Sequence, residues 1–144
     1  MSTEENKALA RRWYEEAFNK HNVAAIDELY APDVVTHDNP LMPEGNRAGA
    51  KRLFAGLFAA VPDMSVTVED LIAEGDKVVA RYTTRGTQRG EFMGIPATGK
   101  SFTSTAIDIL RVEDGKIAEH WHETDQLGMM QQLGVIPAPG QAPR

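Results

Sequence analysis

The hydrophobic period of this chain changes at Pro62, and that change limits the available folds more than any other feature. Before it, apolar residues recur at helical spacing; after it, they alternate with polar ones. Helices first and strands afterwards is the pattern of an α+β domain, with N-terminal helices packed on one face of a curved, mostly antiparallel sheet. Upstream, Leu9, Trp13 and Ala17 recur at four-residue steps with Ala10, Tyr14 and Phe18 alongside. They make a wide apolar stripe on a helix of about four turns. Ser2 and Glu5 have capping-box spacing at its start. Residues 23–30 read as a second, shorter helix stopped by Pro32, and residues 33–37 as a short strand. Two prolines and a glycine make 38–46 a loop. Asn46 then caps a third helix whose buried face is Leu53, Phe54, Leu57, Phe58 and Val61.

Downstream, Met64, Val66 and Val68 alternate with Ser65, Thr67 and Glu69. Further strands are expected at 78–85, 102–112 and 117–124, each rich in β-branched or aromatic residues and bounded by turn chemistry. Residues 90–99 form an apolar-tipped loop between two strands, a position favoured by lids. Asp125 caps a short last helix, 126–133. A single domain over 1–136 is expected, with 137–144 a Pro/Gly-rich mobile tail. A curved sheet closed by helices forms a conical barrel around an internal pocket, where small molecules bind.

Composition narrows the partners. The length of 144 residues suits one domain. A net charge of −6 argues against nucleic acid, which is gripped by clustered Lys and Arg. With no cysteine, disulfides, thiol nucleophiles and cysteine-ligated metals are excluded. No apolar run approaches the roughly 20 residues that span a bilayer. The acidic amino terminus is unlike a secretory signal, so a cytoplasmic location is expected.

The hairpin at Glu113, Asp114 and Gly115 decides which polar groups meet. A two-residue Asp-Gly turn pairs Glu113 with Lys116 and sets Asp108 opposite Trp121, sending His120 and His122 to the other side. A three-residue loop pairs Val112 with Lys116, Asp108 with His120 and Ala106 with His122, and gathers all three ionisable groups on one face. The second is preferred here. It leaves Ile107, Ile109, Ile117 and Trp121 as an apolar outer face suited to a homodimer.

Several runs are familiar in combination: 94–100 (Gly-Ile-Pro-Ala-Thr-Gly-Lys), 108–111 (Asp-Ile-Leu-Arg), 114–117 (Asp-Gly-Lys-Ile), 119–121 (Glu-His-Trp) and 126–134. With the first helix and 30–37, the chain resembles the SnoaL-like polyketide cyclase (ester cyclase) family. The resemblance implies a cone-shaped α+β barrel of the nuclear-transport-factor-like superfamily, a cofactor-free pocket, and a dimer through the outer sheet face. It also implies closure of a polyketide ring by an intramolecular aldol reaction. In that family an acid/base aspartate follows the Glu-His-Trp run, a place taken here by His122. A pocket histidine of the characterised cyclases aligns by spacing with Asp108. The two residue types are therefore exchanged.

His122 is the leading acid/base candidate, because an imidazole with an ordinary pKa of about 6.5 both accepts and donates a proton near neutrality. Asp108 sits in an apolar strand and needs a partner there, either a histidine it orients or an arginine such as Arg111 or Arg81. His37 and His120 are candidate hydrogen-bond donors to a substrate carbonyl. Phe54, Phe58, Phe92 and Ile95 are candidate ligand contacts. His120 and His122 with His37 and a carboxylate also have the loose spacing of a metal site, but the resemblance is to metal-free proteins, and no cofactor is expected. The expected activity is acid/base cyclisation of a hydrophobic, carbonyl-bearing, polyketide-like molecule. Isomerisation, dehydration, epoxide hydrolysis and non-catalytic ligand binding fit the same pocket.

Overall fold

The computed structural model describes residues 2–37, 39, 41–137 and 140. Of the expected tail, residues 138, 139 and 141–144 lie outside the described residues, as do Asp38 and Pro40 of the loop 38–46. Helix α1, Thr3–Arg12, begins with the expected capping box: Ser2 Oγ accepts from the Glu5 amide, and the Glu5 carboxylate accepts from the Ser2 amide. It continues without a break as a π-helical stretch, Trp13–Asn19. The sequence holds the reason. An α-turn of 3.6 residues drifts one way from a four-residue repeat and the wider π-turn drifts the other, so the two in succession offset one another. Trp13, Tyr14, Ala17 and Phe18 are consequently all buried.

Helix α2, Ala24–Leu29, leads directly into β1, Tyr30–His37. The expected strand thus begins three residues early, the helix ends before Pro32 is reached, and Pro32 lies inside the strand. That is tolerable because β1 is the sheet edge and its register is irregular between Tyr30 and Val35. Helix α3, Arg47–Ala60, starts at Asn46, whose side chain accepts from the Gly49 amide. Strands β2 (Ser65–Glu74), β3 (Lys77–Thr87), β4 (Ser101–Glu113) and β5 (Lys116–Thr124) follow, and α4 (Gln126–Gln132) ends the fold.

The sheet order is β1-β5-β4-β3-β2, antiparallel except for the parallel pairing of β1 with β5. The helices cover its inner face. At the centre, fully buried Trp13 stacks on Tyr30 with ring centroids 4.4 Å apart and meets Phe18 and Phe54 edge-on. Burial of each such ring stabilises the fold by about 1.5–3 kcal/mol.

The β4–β5 hairpin corrects the preferred register. Asp114 (φ 51°) and Gly115 (φ 75°) form a two-residue turn of type I′, pairing Glu113 with Lys116 and Val112 with Ile117. A bulge at Ala118 then inserts one residue, so that Arg111 pairs with Glu119, Leu110 with His120, Asp108 with His122 and Ala106 with Thr124. The turn is the one set aside and the pairs differ from those expected. Even so, the bulge returns His120 and His122 to the face of Asp108. Ile117 lies on the other side of the bulge and is fully buried, so it does not belong to the outer face.

Candidate active site

The inward residues of β3, β4 and β5 lie in successive rows. Ala80, Asp108 and His122 make one row across the strands; Tyr82, Ala106 and Thr124 make the next; Thr84 and Ser104 the one beyond. Asp108 has no exposed surface. His122 Nδ1 lies 2.6 Å from its Oδ1, Tyr14 Oη donates to its Oδ2 at 2.7 Å, and Tyr82 Oη donates to Oδ1 at 3.3 Å. His120 Nε2 is 3.1 Å from Oδ2, near enough for strong attraction though off the line of a good hydrogen bond. The other His120 nitrogen, Nδ1, meets Tyr30 Oη at 2.6 Å. Neither Arg111 nor Arg81 touches Asp108: Arg111 pairs with Glu119 and Glu113, and Arg81 with Asp70.

The electrostatics follow from these partners. Burial by itself pushes the Asp108 carboxyl upward, but the two imidazoles, by charge and hydrogen bonding, more than reverse this and hold it well below the ordinary carboxylate range. For His122, burial pulls the imidazole down, while the hydrogen bond and charge of Asp108 pull it up and prevail; its pKa is raised above 6.5. Burial, with the Asp108 charge, drives Tyr14, Tyr30 and Tyr82 well above 10.0, so their hydroxyls stay protonated and able to donate. With Nδ1–H of His122 given to Asp108, Nε2 is the basic atom. The ring is 27% exposed and lines the cavity, as do Phe18, Leu53, Phe54, Leu57 and Phe102. The cavity encloses about 130 Å³.

Asp108, His120 and His122 present ligand atoms within 4.8 Å of one another, so they are also the residues that could hold a cation. The Asp108 oxygens and His122 Nδ1 are already committed to each other and to the hydroxyls of Tyr14 and Tyr82, and a cation between them would first have to displace the proton on His122 Nδ1. That donor set fits proton transfer better than metal binding.

The remaining candidates divide. His37 is at the cavity edge, away from the cluster; its Nε2 is 2.8 Å from Glu119 Oε2 and its ring stacks on Trp121 at 4.8 Å. Phe54 and Phe92 line the cavity. Phe58 does not, because it turns toward His21 and stacks on it at 4.3 Å. Ile95 also falls outside the lining: it pairs with Phe92 across the turn Met93-Gly94, and Met93 takes the cavity position. Sequence reasoning missed the three tyrosines. Their signal was available, since a tyrosine on a core-facing stripe needs a partner for its hydroxyl. It also missed Gln88, 1% exposed, which ties the loop together by donating to Ile95 O and accepting from Thr98.

Fold and site together define a cone-shaped α+β barrel with a buried carboxylate–imidazole pair facing an apolar cavity. Residues 8–133 match the model of the SnoaL-like polyketide cyclase family, and the chain belongs to that family. The nogalonic acid methyl ester cyclase of Streptomyces nogalater is 29% identical over 123 residues, spanning 82% of this chain and 90% of that one. The aklanonic acid methyl ester cyclase DnrD of Streptomyces peucetius is 40% identical over 60 residues, 42% of this chain and 41% of its own length. The match to a second such cyclase, DauD of a Streptomyces species, likewise spans 37% of that protein. Among solved structures, TsrD from Streptomyces laurentii superposes with a TM-score of 0.85 at 34% identity, covering 94% of this chain and 99% of its own. IdmH from Streptomyces antibioticus does so with 0.77 at 38%, covering 90% and 99%.

Proposed function

We propose that this protein is a cofactor-independent cyclase of the ester cyclase type, acting on an apolar, carbonyl-bearing molecule of polyketide kind. The reading rests above all on one contact: an unexposed Asp108 bonded at 2.6 Å to Nδ1 of a partly exposed His122, leaving Nε2 free to work in the cavity. In the reaction, Nε2 removes a proton from the carbon next to a carbonyl, and the electron pair moves onto the carbonyl oxygen as an enolate. Asp108 keeps the ring in the right tautomer and stabilises the imidazolium. Tyr82, protonated and held by two long bonds of 3.3 Å, is placed to turn its O–H to the enolate oxygen. The enolate carbon then attacks a second carbonyl of the same molecule, and the new alkoxide takes the proton back from Nε2. The base is regenerated and no co-reactant is consumed.

His120 is occupied by Tyr30 and Asp108, so its part is to hold the carboxylate. His37 contributes at the rim. The cavity holds the reacting atoms near attack distance, and proton transfer supplies on the order of 10²–10⁴-fold. The test is exchange of α-hydrogens of an aryl methyl ketone in deuterated water. In His122→Gln and in Asp108→Asn the exchange should fall by about 10²-fold or more; full exchange in both variants overturns the assignment.

The same reading includes a cytoplasmic homodimer formed through the outer sheet face. Among the described residues, no helix is long and apolar enough to cross a membrane. An outward row of Ile72, Val79, Ile109 and Trp121 crosses four strands in register, and Ile107 beside it is 48% exposed. Such a row is what a second copy would cover.

A further inference from the structure

The cavity has a second polar end. Beyond the row containing Asp108, the inward face of the sheet carries Ala106 and then Thr84 paired with Ser104, flanked by Thr124 and by Gln126 at the start of α4. All four of these polar side chains line the cavity. Their bonds within the protein are weak. Ser104 Oγ lies 3.4 Å from Thr124 Oγ1 and 3.2 Å from Asp125 O, and Thr124 Oγ1 lies 3.4 Å from Thr105 O. Gln126 gives its amide to the sulfur of Met93 at 3.4 Å, a poor acceptor. Ser104 is 6% exposed, so its hydroxyl sits in low dielectric where a better partner is worth more.

Four residues of strand separate Asp108 from Ser104, about 13 Å at 3.3 Å per residue. His122 lies opposite Asp108 in the same row, so the pair and the hydroxyls stand two rows apart along one wall. Between them the wall carries Ala106, with Tyr82 and Thr124 on either side in the same row, and Phe54 and Leu57 also line the cavity.

From this we infer a distal subsite: Thr84, Ser104 and Gln126 hydrogen-bond a carbonyl or phenol of the substrate two rows along the wall from Asp108, about 13 Å by strand rise. The inference rests on the acid/base reading above and gives its substrate a shape, a flat apolar body polar at both ends. The enclosed space of about 130 Å³ is close to that of one aromatic ring. Met93 and Met129 are in its lining, flexible side chains suited to moving aside for a longer body.

Two ketones test it, 4-acetyl-4′-hydroxybiphenyl and 4-acetylbiphenyl, which differ in the distal hydroxyl alone. Dissociation constants are measured for the full chain and for the variants Thr84→Val and Ser104→Ala. The hydroxylated ketone should bind about five- to tenfold more tightly to the wild type, the worth of one good hydrogen bond. In each variant the ratio of the two affinities should fall toward one. Equal affinities in the wild type, failure of both ketones to bind, or an unchanged ratio in both variants overturns the subsite. Methyl-hydrogen exchange on 4-acetylbiphenyl, followed in wild type and His122→Gln, reports separately on the acid/base reading. Loss of one result leaves the other standing.

Discussion

Asp108 is a carboxylate with no exposed surface, held by three hydrogen bonds and the nearby His120 imidazole, and the balance among those partners sets the basicity of His122. Tyr14 and Tyr82 draw charge from the carboxylate; His120 and His122 share what remains. Removing one donor therefore has a defined sign. In Tyr14→Phe the carboxylate keeps more charge for the imidazolium, so the His122 midpoint, followed by NMR titration, should rise. The same change leaves a buried acceptor short of a partner and should lower stability in chemical denaturation by about 1–3 kcal/mol. The linkage signs also follow. His122 has its pKa raised by folding, so its contribution to stability is complete below 6.5 and fades as pH rises through the folded value. Asp108 has its pKa lowered, so its contribution is present above 3.8 and is lost as pH falls toward the folded value.

At the scale of elements, the β4–β5 hairpin shows what was legible and what was not. Alternation located both strands, and the dipeptide Asp114-Gly115 marked the turn. Which turn forms, and whether a bulge follows, depends on the packing of Ile117, Ala118 and Val112 against the helices, and a local pattern does not carry that information. The right face emerged because an unexpected turn and an unforeseen bulge offset one another. The π-helical stretch is a second case: a four-residue step lies between the α and π periods, so the spacing of Leu9, Trp13 and Ala17 locates a helix without giving its turn. The candidate site was legible as a pair, Asp108 and His122, because a lone carboxylate in an apolar strand demands a partner. The tyrosines that complete it come from 94 and 26 residues away, a separation that topology resolves and spacing does not. Gly115, at φ 75°, tolerates a side chain poorly. Gly115→Val should destabilise by about 1–2 kcal/mol in thermal melts, whereas Asp114→Asn, equally at home in a type I′ turn, should be nearly neutral.

Taken whole, the molecule is a cone whose sheet turns the Asp108, His120 and His122 cluster inward and an apolar row outward. If the outer row is a dimer contact, then Ile109→Glu should convert the dimer to a monomer in light scattering while the far-UV circular dichroism is kept. A wild type that is monomeric at all accessible concentrations would argue against that face. Inside, the rows of β3, β4 and β5 place the Asp108–His122 pair at one point of the wall and weakly bonded hydroxyls farther along it. The pH profile of α-hydrogen exchange, taken in wild type and Asp108→Asn, bears most directly on the core of this account. The wild-type rate should climb with pH through a midpoint above 6.5, and the variant should show a slower rate with its midpoint moved to lower pH. A wild-type rate indifferent to pH, or a midpoint that stays in place when Asp108 loses its charge, would contradict it.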